Sequence, residues 1–439
     1  MDTTNKKIGS FFQSITLKAV IVGFLTILLL IPSFMIQELI YERQNRSIET
    51  IEKINEKWSH SQTLCSPILS IPYTTSYKTS DDKIAYEHHT LNIAPEILNI
   101  ETQLFPEERH YGIYKTILYK SEQDITGEFL IKPFSQLENS VVHWDKAYLR
   151  LGFSDLRGIT SNIVVEFDNK SYEAVASGNQ DGYLGKELLA FLETADLTII
   201  EQPVPFHCKF SLNGSSSINY IPVGKTTKVH VTGAWNSPGY IGNFSPEHTL
   251  NEQGFDANWS ILRFNRNIPD VWTDNTINSF HDTSFGVSLV DTVDHYQQNM
   301  RSAKYAFMFI ALTFVVFFFV EIITKKRIHP IQYLLVGVAL IIFYSLLLSI
   351  SEQLNFGMAY LIASIATIGL ITIYTQSIFK NKMQTSVMTF VLCLLYLFLY
   401  VVLQLEDIAL LIGSIGLFII LAIIMYFSRK ISWYKPEEL

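Results

Sequence analysis

The sequence predicts a polytopic α-helical membrane protein of six spans, with a large, mainly β periplasmic domain inserted between spans 1 and 2. Three observations carry that expectation. The 439-residue chain is 48% hydrophobic and only 17% charged, whereas a soluble chain carries about 25% charge. Its mean hydropathy is positive, at +0.21. The apolar residues gather into six long stretches, and the short loops between them hold Lys and Arg only in alternation. The net charge of −8 gives no basic footprint for nucleic acid. With 3 cysteines, neither a disulfide scaffold nor a four-thiolate metal site is available.

Residues 1–18, with Lys6, Lys7 and Lys18, form the expected cytoplasmic N-terminus. Residues 19–37 are uncharged throughout. A helix rises 1.5 Å per residue, so about twenty residues cross the roughly 30 Å hydrocarbon core. After Pro32 the chain reads SFMIQELIYERQN. It has bulky residues where a peptidase needs small ones, so span 1 is expected as a retained signal-anchor.

Residues 38–304 form the expected periplasmic segment. Within 38–59, Ile48, Ile51, Ile54 and Trp58 recur at helical spacing, and Glu49 and Lys53 make an i,i+4 pair. Residues 60–304 turn to period two, the mark of half-buried strands. Phe206, Cys208, Phe210 and Leu212 alternate with polar residues before Asn213-Gly214, a tight-hairpin signal. Leu149, Leu151 and Phe153 alternate likewise, as do Val229 and Val231, and Phe285, Val287 and Leu289. Lys186–Thr194 is the clearest helical exception. The domain is expected to be mostly antiparallel, as a sandwich or an elongated double-layer sheet.

The other spans are expected at 305–323, 331–350, 356–379, 383–405 and 408–427, before a cytoplasmic C-terminus at 428–439. Glu321 is the only charge inside any of them. Lys325, Lys326 and Arg327, then Lys380 and Lys382, then Arg429, Lys430 and Lys435 flank the same side as the N-terminus. The opposite loops carry only Glu352, Glu406 and Asp407. Both termini are therefore expected in the cytoplasm.

Functional constellations are sparse. No HExxH motif, nucleophile elbow or glycine-rich phosphate loop is present. No catalytic residue, metal or cofactor is therefore expected. His207 and His230 sit on polar strand faces, where solvation is the default. Cys65 and Cys208 would face an oxidising compartment, so a bridge between them is chemically allowed, and packing alone also explains Cys208. Glu321 lies four residues before Lys325, and an i,i+4 pair explains it without a proton relay. Arg327-Ile328-His329-Pro330 suggests a tight turn with proline opening the third span. Glu321, Arg327, His329, Pro330 and Glu352 are the structural or coupling candidates. Matching broken helices in repeated halves, the mark of a transporter, are not evident.

Several stretches then resemble one family, the CreD-type inner-membrane proteins known as cell envelope integrity proteins. They are SDLRGI at Ser154–Ile159, IPVG at Ile221–Gly224, AWNSPGYIGNFSP at Ala234–Pro246 and GFDANWSILRFNRNIP at Gly254–Pro269. The longest run from Phe285 to Glu321 and from Arg327 to Glu352. Ser245 and Gln353-Leu354-Asn355 depart from the family pattern. The resemblance implies a role in envelope integrity and in tolerance of stress, colicins or antibiotics at a bacterial inner membrane. It assigns no catalytic or binding residue. Binding is expected rather than catalysis, with a transporter or channel as the alternative and a membrane-bound enzyme third. The expected partners are the lipid bilayer and an envelope protein or ligand.

Overall fold

A computed structural model describes residues 15–78, 81–134, 137, 140–178, 186–192, 200–274, 280–289, 295–324, 328–405 and 408–429. The chain divides into a helical unit, Met1–Ser47 with Val293–Leu439, and a sheet unit, Ile48–Thr292.

The helical unit opens with α1 (Ile15–Leu28) and α2 (Leu30–Trp58), separated by a turn at Leu29. Pro32 accounts for that turn, because it lacks the N–H that would bond the Leu28 carbonyl and its ring crowds that carbonyl. After the sheet unit come α3 (His295–Lys304), α4 (Ala306–Thr324), α5 (Pro330–Ser351), α6 (Phe356–Phe379), α7 (Lys382–Gln404) and α8 (Ala409–Ser428). Among the described residues, 4 helices are long and apolar enough to cross a membrane. They are Leu17–Trp58, α5, α6 and α7; α3 and α4, bent by 44°, make a fifth when taken together. Six spans were expected. The stretch expected at 408–427 falls on α8, whose apolar core Leu411–Tyr426 is shorter than the others.

Aromatic residues fill the helical core. Phe343 meets Tyr396 edge-on at 4.9 Å and Tyr360 at 5.5 Å, and Phe309 meets Tyr396 at 5.2 Å. Gly337 on α5 lets Leu29 and Phe314 approach closely, since a β-carbon there would strike both side chains.

The sheet unit begins within α2, whose buried Asn55 accepts from the Thr116 hydroxyl at 3.1 Å. Its first strands are β1 (Gln62–Lys78), β2 (Ile84–Ile93), β3 (Ile97–Tyr111), β4 (Tyr114–Ile131), β5 (Val141–Val142) and β6 (Tyr148–Phe153). Then follow β7 (Val164–Phe167), β8 (Lys170–Glu173), β9 (Val175–Ala176), β10 (Lys186–Phe191), β11 (Ile200–Ser215) and β12 (Ser217–Ile221). The last are β13 (Thr226–Gly233), β14 (Gly239–Gly242), β15 (Glu247–Asn251), β16 (Gly254–Leu262), β17 (Val271–Thr273) and β18 (Phe285–Ser288).

One sheet runs β14-β18-β12-β1-β6-β10-β9, with β2 and β5 on β1 and β17 on β2. The other runs β15-β16-β13-β3-β4-β11-β7-β8. Pairing is antiparallel except between β1 and β12 and between β3 and β13. The two layers share one core, where Phe153 of the first meets Phe210 of the second at 5.7 Å. Tyr220 on β12 donates to Thr102 on β3 at 2.8 Å, and Thr102 donates to Gln123 at 2.7 Å. A polar seam thus sits satisfied inside the sandwich.

Two local expectations are corrected. Asn213-Gly214 is no hairpin: both residues continue β11, opposite Lys120 and Tyr119 on β4. The chain turns at Ser216, at φ 60, and crosses from one sheet to the other. Gly214 is required because a β-carbon there would run into the Tyr119 phenol. Lys186–Phe191 is strand β10, not helix, paired with β6 from Phe153 to Tyr148; residues 193 and 194 lie outside the described residues. Gly242 and Gly254 take positive φ, at 92° and 137°, a conformation open to glycine at little cost.

Candidate functional site

Four groups of polar side chains stand out, two in each unit. In the helical unit, Glu321 near the end of α4 is buried, at 5% exposure. It pairs with Lys18 of α1. It also accepts from the Tyr333 hydroxyl of α5 at 2.9 Å and from the Ile328 backbone N–H at 3.1 Å. One carboxylate therefore ties three helices together. The expected partner Lys325 lies outside the described residues, as does Arg327. A charge that pairs with it comes from a residue 303 positions away. Beside this node His329 caps α5: its Nδ1 accepts from the Ile331 N–H at 3.3 Å, and its own N–H donates to Gln332 at 2.9 Å. Pro330 occupies the first turn, where its missing N–H costs nothing.

Glu352 follows α5 and accepts from the Tyr296 hydroxyl of α3 at 3.3 Å. One turn along α3, Asn299 donates to the Ser351 hydroxyl at 2.7 Å. These contacts hold the bent segment α3 against α5.

In the sheet unit the stretch SDLRGI builds a knot around Asp155, whose side chain is 3% exposed. It accepts from the His60 N–H at 3.2 Å, from the Arg157 N–H at 3.2 Å and from Arg157 Nη2 at 2.8 Å. His60 Nδ1 stands 3.1 Å away. Burial alone would raise the Asp155 pKa, but the hydrogen bonds from Arg157 and His60 outweigh it and hold the carboxyl well below the usual range. Gln62 donates to the Asp155 carbonyl at 2.8 Å, and a β-carbon on Gly158 would collide with Gln62 and Asn213. This knot fixes the end of α2 to the start of β1.

The fourth group lies on the outward face of the second sheet. By register, Glu247, Asn258, His230, Glu101 and Asp124 form one row across β15, β16, β13, β3 and β4. His230 is held between two carboxylates, with Nδ1 2.6 Å from Glu101 and Nε2 3.0 Å from Asp256. Burial lowers its pKa, but Asp256 and Glu101 more than reverse this, and the net shift is upward. His207 on β11 repeats the arrangement, 3.0 Å from Asp124 and 3.5 Å from Glu166. Asn99, Glu101, Lys228, His230 and Glu247 border an open recess of about 420 Å³. It presents donors, acceptors and both signs of charge. Among the described residues no group of three or more His, Cys, Asp or Glu side chains converges as metal ligands.

Sequence reasoning placed His207 and His230 in solvent, because strand pairing, which brings carboxylates beside them, is invisible in a single strand. Asp155 was missed although its motif was noted; a buried carboxylate next to a nearby arginine was the available signal. Cys65 and Cys208 are free, buried thiols on strands of different sheets. Burial pushes the Cys65 thiol pKa up and that of Cys208 to about 12. The structure thus gives packing, not a bridge, as the account of both.

Comparison with known proteins gives a consistent result. The family model described as "Inner membrane protein CreD" matches residues 14–434. A relative from Escherichia coli (strain K12), also named "Inner membrane protein CreD", is 30% identical over 417 residues. That match covers 93% of this chain and 91% of the relative.

Proposed function

The chain belongs to the CreD family of inner membrane proteins, and from that premise we propose that it supports cell envelope integrity by binding an envelope component. In this reading it crosses the membrane six times with both termini cytoplasmic, and residues 38–304 form a periplasmic binding domain. The helical unit acts with that domain rather than as a bare tether. The observation that carries binding is the open recess around His230. Its Glu101 and His230 side chains are held by partners on neighbouring strands, so a ligand would meet a partly preorganised surface at reduced ordering cost. Complementation tests the proposal. A deletion strain should lose survival under envelope stress or colicin challenge, and the full chain should restore it. Glu101→Gln with His230→Asn should reduce rescue at normal abundance. Full rescue by that double variant would remove the recess from the account.

A transporter is the second reading, supported by the Tyr344 hydroxyl, which is buried in the bundle without a hydrogen-bond partner among the described residues. Polar groups in that position mark solute paths in other bundles. Solute flux into vesicles carrying the purified chain would favour it.

A further inference from the structure

Helices α6 and α7 meet at the turn formed by Lys380 and Asn381, with Lys382 opening α7, and their outer flank there is polar. Thr372 and Gln376 of α6, with Lys382, Thr385, Ser386 and Thr389 of α7, border an open groove of about 510 Å³. Thr372 and Thr389 hydrogen-bond across it at 2.8 Å. Gln376, Lys382 and Ser386 are exposed. Both helices pass the length and hydropathy test for a membrane span, so an exposed flank faces lipid. Amide and hydroxyl groups are costly against hydrocarbon and call for polar partners.

Charge and depth identify the partner. Residues 356–404 contain no Asp or Glu, and Lys380 and Lys382 are their only charges. Among the described residues that border it, the groove is therefore cationic, with no carboxylate to repel an anion. Thr372 and Thr389 lie roughly 10–12 Å along their helices from the two lysines, at 1.5 Å per residue. The headgroup layer is about 5–7 Å deep on each side of the hydrocarbon. Lys382 at the rim thus stands at phosphate level, while Gln376 and Ser386, about 6 Å along their helices from the two lysines, reach the level of glycerol and ester carbonyls, and the threonine pair lies deeper. We propose that this groove binds the headgroup of an anionic glycerophospholipid, with Lys382 on the phosphate and Gln376 and Ser386 on the glycerol and ester oxygens.

Native mass spectrometry of the full chain in detergent tests it, with phosphatidylglycerol and phosphatidylcholine titrated separately. The wild type should retain phosphatidylglycerol in preference to phosphatidylcholine. Lys382→Gln should weaken that retention about five-fold, the factor one basic residue contributes at an anionic surface. Gln376→Leu with Ser386→Ala, which keeps both lysines, should weaken it too. Arg429→Gln, a charge change outside the groove, should not. Equal retention of the two lipids, or variants that bind like the wild type, would overturn the assignment. So would displacement of phosphatidylglycerol by millimolar inorganic phosphate, which would make the ligand a free anion. Loss of a dimer rather than of lipid in the variants would make the groove a contact between copies, and would also overturn it.

Discussion

The Tyr333 hydroxyl donates to Glu321 at 2.9 Å, so the start of α5 and the end of α4 share one buried carboxylate. Lys18 and the Ile328 N–H use the same group. Glu321→Ala would strand all three donors. Breaking a fully buried pair costs about 3–5 kcal/mol, and Lys18 is partly exposed, so a loss of about 2–3 kcal/mol is expected. Glu321→Gln keeps an acceptor for Tyr333 or Ile328 and should lose less. Thermal unfolding in detergent, followed by helical dichroism, checks the order of the two variants.

Asp155 offers the parallel test in the sheet unit. Asp155→Asn keeps the shape but removes the charge that Arg157 and His60 bond. A loss of about 1.5–3 kcal/mol is expected for hydrogen bonds to a charged group. Because the folded pKa is depressed, the wild-type contribution is present above the ordinary aspartate range and fades as pH falls through and below it. The variant should therefore show a flatter stability profile in acid. A variant that melts with the wild type at pH 7 would exclude the knot as a stabilising element.

His230 gives pH dependence of the opposite sign. Its folded pKa is raised, so its contribution is complete below the unfolded value of about 6.5 and is lost as pH rises through the folded value. The sheet unit should be more stable at pH 6 than at pH 8 through this residue. His230→Asn should remove that difference. An imidazole titration by NMR, with wild-type and Glu101→Gln chains, locates the shift directly; the variant should titrate lower.

Gly214→Ala tests the crossing from β11 to β12. The added methyl would displace the Tyr119 ring, whose hydroxyl donates to the Ser217 carbonyl at 2.9 Å on the far side of the turn. Overpacking of a buried ring costs about 1–3 kcal/mol. Gly178→Ala, in open space, should change little. Equal melting of the two variants would show that the close approach is not needed.

The residues that misled explain what a sequence can carry. Four of the expected spans were legible because twenty uncharged residues in a row have few other uses, and Pro330 was legible as a helix start for a local reason. Leu188, Leu189, Phe191 and Leu192 have helical spacing, yet β10 is hydrogen-bonded on both sides, to β6 and β9, and those long-range pairings override a weak local pattern. Asn213-Gly214 is a local hairpin signal, overridden because β11 runs on beside β4 and the turn falls at Ser216. The partners of Glu321, His230 and Asp155 come from other helices and strands, and nothing in the spacing of residues announces them.

Joint action of the helical and sheet units, as proposed, is tested most directly by rescue of a deletion strain. The sheet unit held in the membrane by span 1 alone should be present at normal abundance and yet leave the cells sensitive to envelope stress, while the full chain restores survival. Full rescue by the tethered sheet unit would contradict the account.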